Sequence, residues 1–378
     1  MRNYFVCVYA ISRNEEKFAD RWMDAMGEAD RVVVLDTGSE DGTVERLRAR
    51  GAEVHQEVIS PWRFDAARNR SLELVPEEAD ICVCTDLDEV FRPGWREALE
   101  RAWQPGTGQA RYRYTWSFNP DGSEGVVFWI EKIHARRGYR WVHPVHEVLR
   151  WTGPEEPGPA VWAEGVQLDH HPDPEKSRGQ YLPLLEQAVA EEPDDDRNVH
   201  YLGREYFFHG RWEDCVRTLE RHLAMPSALW RDERAASMGY IAKAWDRLGR
   251  RDLALAWHLR AAAEAPHLRE PWLDAALLLY REEDWEGVLC FTGRALAITQ
   301  RPRTYICQAE AWGSLPHDLR TIAFYHTGRL PEALAAARAA LALEPGNGRL
   351  AGNVALLEKL TGPYLFLFFS LSQQNITK

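Results

Sequence analysis

Short apolar runs that each end in carboxylates and small polar residues constrain this chain most. Val32, Val33, Val34 and Leu35 run out into Asp36, Thr37, Gly38, Ser39, Glu40, Asp41 and Gly42, and the apolar run 79–85 runs out into Asp86, Leu87, Asp88 and Glu89. Runs of this length, bounded by turn residues and alternating with helical periodicity, predict buried strands of a largely parallel sheet. The opening run 4–10 is of the same kind and passes through Ser12, Arg13, Asn14, Glu15 and Glu16 into a helical pattern at Phe18, Trp22, Met23 and Met26. A third strand fits 53–58, and a helix starts at Phe64, Asp65, Ala66, Ala67, Arg68 and Asn69. The alternation predicts an α/β domain, in which ligands bind outside the carboxyl ends of the strands.

Oxygen-rich strand ends suit a hard divalent cation, which can neutralise a diphosphate. Taken alone, Asp86, Asp88 and Glu89 have the alternative reading of a solvated acidic turn. Around Asp36, glycine allows close backbone approach, Ser39 and Asp41 are capping types, and a helix N-terminus favours anions. Near the N-terminus there is no Gly-rich, lysine-bearing phosphate loop, which weighs against nucleotidyl transfer.

In this order and spacing, SRNEE (12–16), VVVLDTGSEDGT (32–43), FDAARN (64–69) and DLDE (86–89) resemble the signatures of family-two glycosyltransferases. The resemblance implies a GT-A fold, a Rossmann-like α/β domain that binds a nucleotide sugar. It also implies a nucleotide-sugar donor, expected to be a UDP-sugar, a divalent metal, Mn2+ or Mg2+, and inversion of the anomeric centre. By the same resemblance Ala10, Ser12, Arg13, Asn14, Glu15 and Asp36 hold the nucleoside, and Arg68 and Asn69 face the nucleotide or its sugar. Asp86 and Leu87 belong to the donor site, and Asp86 and Asp88 bind the metal, Asp88 the more directly. Residue by residue, alternatives stay open: Glu15 and Glu16 as first-turn acids favoured by a helix dipole, and Arg68 as a surface partner of Asp65.

Beyond Pro93, strands are expected at 110–118, 125–133 and 161–168, the first two separated by the hairpin signal Asn119-Pro120-Asp121-Gly122. The stretch from Lys132 through Arg136, Arg137 and Arg140 to Val145, His146 and Glu147 is similar to the VHE region of this glycosyltransferase group. Inverting transfer needs a base for the acceptor proton. Glu147 is the first candidate base, Asp121 the second, and His146 a metal or phosphate contact. In the structural alternative His146 and Glu147 only fix their loop, and Asp121 is an ordinary turn aspartate. By the same resemblance one of His170 and His171, with His171 the expected one, returns to the metal beside Asp88, the alternative being a strand-end histidine in a polar linker; adjacent strand residues face opposite ways, so at most one serves.

From about Pro193 the texture turns to alanine, leucine, arginine and glutamate in helical periods. Phe208-His209-Gly210-Arg211-Trp212, Arg247-Leu248-Gly249-Arg250, Arg281-Glu282-Glu283-Asp284-Trp285 and His326-Thr327-Gly328-Arg329 each end one amphipathic helix and start another. The spacing resembles tetratricopeptide repeats, stretched in the first and last intervals, with Glu283 where glycine is usual and an insertion at 300–316. The expected organisation is a catalytic domain at 1–180, an all-α tetratricopeptide-like repeat domain at 181–362 and an apolar tail at 363–378. That architecture resembles sublancin-type peptide glycosyltransferases, which implies a peptide or protein acceptor recruited by the repeats. A glycan or lipid-linked acceptor, a non-catalytic repeat scaffold, and repeats that form a homodimer are the alternatives.

Composition narrows the partners. A net charge of -12 argues against a broad nucleic-acid footprint, which needs clustered cations. The six cysteines, Cys7, Cys82, Cys84, Cys215, Cys290 and Cys307, form no CxxC pair and read as core thiols of a reducing compartment. No secretion signal precedes the first strand and no stretch approaches the ~20 apolar residues of a membrane span, so a cytoplasmic protein is expected. The apolar tail is too short to cross a bilayer and is expected to cap a helical core or a partner surface.

Overall fold

Both faces of the first strand are buried, which is why its sequence is an unbroken apolar run. Val6, Val8 and Ala10 enter one core with Trp22, Met26 and Leu99, while Cys7 and Tyr9 enter another with Leu72, Cys82 and Trp141. The computed structural model describes residues 4–119, 122–174, 176 and 179–362. It divides into two units, Met1–Asn198 with Arg303–Tyr305, and Val199–Pro302 with Ile306–Lys378.

In the first unit the strands are β1 (Val6–Ser12), β2 (Arg31–Asp36), β3 (Glu53–Gln56), β4 (Ile81–Cys84), β5 (Glu89–Phe91), β6 (Gln109–Thr115), β7 (Val127–Ala135), β8 (Tyr139–Val142), β9 (Val148–Trp151) and β10 (Ala160–His170). The helices are α1 (Glu16–Met26), α2 (Thr43–Ala49), α3 (Phe64–Glu73), α4 (Trp95–Ala102) and α5 (Tyr181–Glu191). Eight strands form one mixed sheet in the order β3-β2-β1-β4-β7-β6-β10-β5. β1, β2, β3 and β4 are mutually parallel, β7 is antiparallel to β4 and β6, and β10 runs parallel to β6. The chain steps outward from β1 to β2 and β3, then returns to place β4 on the other side of β1. The carboxyl ends of β1 and β4 therefore flank a topological switch point, where such sheets leave a crevice.

The hairpin β8–β9 was not anticipated, although Tyr139 and Trp141 are buried and Arg140 between them is exposed, the two-residue period of a half-buried strand. The first unit also extends past the expected boundary at 180. α5 packs on the start of α3 through Phe64 and Tyr181, whose rings meet edge to face at 6.3 Å, and through Arg63 and Glu191, paired at 2.6 Å.

The second unit is an array of helix pairs. α6 (Asp196–Phe208), of which Val199 onward belongs here, precedes α7 (Trp212–Ala224), α8 (Arg231–Arg247), α9 (Arg251–Glu264), α10 (Glu270–Arg281), α11 (Trp285–Ala297), the short α12 (Ala309–Trp312), α13 (Leu315–His326), α14 (Leu330–Leu343) and α15 (Gly348–Thr361). The four turns expected from the sequence join α6 to α7, α8 to α9, α10 to α11 and α13 to α14. Three turn on left-handed glycines, Gly210, Gly249 and Gly328, and in the third Glu283 takes that conformation with φ 57°. The insertion is tied down at Glu270, whose Oε1 accepts Gln308 N at 2.9 Å and Trp312 Nε1 at 3.2 Å. This is a tetratricopeptide-like helical repeat. Residues 363–378, the predicted apolar tail, lie outside the described residues.

Candidate functional site

The loops after β1 and β2 are stitched to each other. Ser12 Oγ donates to Asp36 Oδ2 at 2.9 Å, Ser39 Oγ donates to the same oxygen, and Gly38 N and Ser39 N donate to Oδ1 at 3.2 and 3.0 Å. A carboxylate offers about four lone-pair sites, so Asp36, wholly buried, is fully engaged. Its expected role as a nucleoside contact is not what this geometry displays; it organises the loop that such a ligand would meet. Asn14 Oδ1 accepts Glu40 N at 2.8 Å and Glu15 N donates to Thr43 Oγ1 at 2.8 Å, which continues the stitching. Arg13 is exposed at the rim. Burial pushes the Glu15 carboxyl up to about 7 against the opposing effect of its ion pair with Lys176.

At the end of β4 three acids and two cations interlock. Arg68, 3% exposed, donates from Nη2 to Asp86 Oδ1 at 2.5 Å and from Nε to Glu147 Oε1 at 2.9 Å. Lys132 Nζ donates to Asp86 Oδ2 at 3.2 Å and to Glu89 Oε1 at 3.1 Å. Glu89 also accepts Asp86 N at 2.9 Å and the Tyr114 hydroxyl at 2.8 Å. Burial opposes the Asp86 charge, but Arg68 and Lys132 outweigh it and hold the carboxyl far below the usual range. Burial raises Glu89 instead. Arg68 is thus no surface partner of Asp65, and Glu147, half-buried, pairs with it through Oε1.

Asp88 turns away from this lock toward β10. His170 Nε2 lies 3.5 Å from Asp88 Oδ2, and His170 Nδ1 sits 3.0 Å from the Trp116 carbonyl. Donation from Nδ1 to that carbonyl directs Nε2 at the carboxylate, and a backbone bond of this kind is what orients a metal-binding histidine. His171 is not the ring that returns: its backbone N donates to Asp88 O at 2.8 Å while its ring stacks on Phe118 at 5.3 Å. The alternation of adjacent strand residues was anticipated, but which of the two faces the crevice depends on register. His146 has a left-handed backbone conformation with φ 52°, and its ring meets Tyr181 edge-on at 5.5 Å. Asp88 and His170, one oxygen and one nitrogen donor, fit a divalent cation such as Mn2+. Asp86 pairs with Arg68 through Oδ1 and with Lys132 through Oδ2, which leaves a lone pair on each oxygen for a cation.

Other expected contacts have structural roles. Asn69 bonds the Trp141 backbone twice, Nδ2 to O at 2.8 Å and N to Oδ1 at 2.9 Å, so it pins β8 to α3. Ala10 and Leu87 are buried core residues, with Ala10 O accepting Ser71 Oγ at 2.8 Å. Asp121 lies outside the described residues. Sequence reasoning missed Lys132, His170 as the facing ring, and Trp116, which is 40% exposed beside His170. The one available signal for Lys132 was its rarity, a lysine in a chain with forty arginines and six lysines. A separate cavity of about 210 Å3, lined by Arg63, Asn69, Arg140, Trp141, His143 and Glu191 among others, has none of the strand-end aspartates in its wall.

All six cysteines are free thiols, five of them buried. Among the described helices none is long and apolar enough to cross a membrane. No protein-family model matches the sequence, and no curated protein matches it. Solved structures similar to parts of the chain include a MamA protein, at 13% identity over 43% of this chain and 81% of that one, with a TM-score of 0.35. PilF of Pseudomonas aeruginosa matches at 12% over 47% of this chain and 72% of its own, TM-score 0.35. The C-terminal part of a TPR repeat-containing protein from Cytophaga hutchinsonii matches at 12% over 49% and 66%, TM-score 0.40. The repeat character of the second unit rests on its own helix pairs.

Proposed function

We propose that the first unit is a GT-A-type domain that binds a nucleotide sugar at the carboxyl ends of β1, β2 and β4 and transfers its sugar to a peptide or protein acceptor recruited by the repeats. The observation that carries this reading is convergence. Ser12, Asp36, Asp86, Asp88 and His170 come from four distant stretches of the chain to one sheet edge at a switch point, in the motif context that resembles family-two glycosyltransferases. Asp88 and His170 would hold a divalent cation, which when bound would screen the charge of the departing diphosphate. Arg68 and Lys132 add fixed positive charge at the same corner, and Glu147 holds Arg68 in place. The loops organised by Asp36 present backbone groups to the nucleoside side of the crevice.

One observation favours a second reading, a repeat scaffold on a non-catalytic sheet domain: the side chains of Asp36 and Asn69 are engaged within the protein. A thermal-shift screen with UDP-, GDP- and TDP-sugars, each with and without Mn2+, separates the two, because a ligand of the folded state raises its melting temperature. The transferase reading expects one nucleotide series to stabilise the chain in a Mn2+-dependent way. No shift with any nucleotide at millimolar concentration would favour the scaffold.

A further inference from the structure

Away from the strand-end edge, the loop between β8 and β9 meets the end of α5, and a histidine comes together with two carboxylates. All three belong to the first unit. His143 is 5% exposed, and its Nε2 stands 3.6 Å from Asp195 Oδ2. Among the described residues neither of these two atoms makes a hydrogen bond; the other atom of each group is engaged, His143 Nδ1 with the Asn198 side-chain amide at 3.0 Å and Asp195 Oδ1 with Asn198 N at 2.9 Å. Glu192 supplies the third group, and one ligand atom from each of the three lies within 4.8 Å of the other two. Asp195 N donates to Glu192 O at 3.2 Å, a turn that brings the two carboxylates side by side.

The spacing suits an ion better than a hydrogen bond. At 3.6 Å the nitrogen and oxygen are too far apart to share a proton well, but close to the ~3.3 Å that separates two ligands of a tetrahedral ion with bonds of about 2.0 Å. Turning the Asn198 amide over puts its oxygen at the ring contact, where it accepts the Nδ1 proton and leaves the Nε2 lone pair facing the acids. A bond of that kind on the far nitrogen is what orients a metal-binding histidine. Arg150 competes for the same acids, with Nη2 3.1 Å from Glu192 Oε2 and 3.7 Å from Asp195 Oδ2. Arg150 and Glu192 are both largely exposed, so their pairing is weak and Glu192 can swing inward. We propose that His143, Glu192 and Asp195 bind Zn2+ as three protein ligands, with water as the fourth, and that the ion clasps the β8–β9 loop to the end of α5. Imidazole and carboxylates suit zinc, which takes nitrogen and oxygen at nearly equal distances. His143 and Glu192 also line the cavity of about 210 Å3, which has room for several waters at ~30 Å3 each. The site shares no residue with the strand-end edge, so it stands whether or not a nucleotide sugar binds there.

The test is Zn2+ binding by the intact chain carrying Asp88→Asn, which weakens the other candidate cation site, measured by isothermal titration calorimetry and by melting temperature. Zn2+ should bind and raise the melting temperature, because a ligand of the folded state stabilises it. In the same background His143→Asn and Glu192→Ala should each weaken that binding at least about tenfold, since even the partners behind a metal ligand cost this much. Asparagine tolerates the left-handed backbone of His143, with φ 78°, and lacks the imidazole. If His143→Asn nonetheless fails to fold, as judged by circular dichroism, Glu192→Ala carries the test at an exposed position. Zn2+ binding unchanged by Glu192→Ala or by a folded His143→Asn, or no binding of Zn2+ at millimolar concentration, would overturn the site.

Discussion

Arg68 shows how one buried charge can decide the roles of its neighbours. It is almost wholly buried, and its two carboxylate partners, Asp86 and Glu147, lie on segments far apart in sequence. Glu147→Gln keeps an acceptor for Nε but removes its charge, which should cost about 1–3 kcal/mol of stability. It should also weaken donor binding through Arg68 and Asp86, measured by urea unfolding and by nucleotide titration. A fall in turnover with stability and donor binding intact would instead restore Glu147 as a base. A second buried network stands behind it: Trp141 Nε1 donates to the Tyr9 hydroxyl at 2.8 Å, and that hydroxyl meets His134 Nε2 at 2.7 Å. Burial lowers His134 to about 4, more than the carbonyl of Ala135 on Nδ1 can offset. The unfolded chain takes up this proton near 6.5 and the folded one only near 4, so the unfolded state binds more protons in that window. His134 should therefore cost the fold stability as pH falls from 6.5 toward 4, by at most about 3 kcal/mol. NMR titration of the His134 ring should find it neutral at pH 5; a ring already protonated there would contradict the burial argument.

At the scale of elements, the turns of the repeat carry a direct test. Glu283 adopts the left-handed conformation that glycine supplies at 210, 249 and 328. A side chain there costs roughly 1–2 kcal/mol, partly returned by the lower entropy of the unfolded chain, so Glu283→Gly should stabilise the protein by about 1 kcal/mol. An unchanged or lower melting temperature would mean that the Glu283 side chain contributes more than its strain. These turns were legible because glycine and helical period punctuate a local structure, and β1, β2 and β4 were legible because strands buried on both faces must be apolar throughout. The hairpin β8–β9 was not, since its loop depends on left-handed His143 and His146, with φ of 78° and 52°, a conformation uncommon for any residue but glycine. The site divides the same way. That Asp36, Arg68, Asp86 and Asp88 gather near one edge follows from strand ends. That Asp36 is saturated, that Asn69 clamps Trp141, and that His170 faces Asp88 are outcomes of register and side-chain pairing, which the linear order does not carry.

For the whole molecule, the division at Asn198 changes how the two halves should be separated. A truncation near His171 would remove α5 and strip Phe64 and Arg63 of Tyr181 and Glu191, so residues 1–198 are the fragment to make. If the repeats recruit the acceptor, that fragment should bind the nucleotide sugar like the full chain and lose transfer to the acceptor, as measured by mass shift of the product. Full transfer by the fragment would give the repeats another role. The central claim, that the strand-end edge is a cation-assisted nucleotide-sugar site, is tested most directly by titrating the stabilising nucleotide sugar with Mn2+ into the wild-type chain and into Asp88→Asn. The account predicts saturable binding to wild type and at least about a tenfold loss in the variant, with the difference vanishing when Mn2+ is withheld. Equal binding by both proteins in Mn2+ would contradict it.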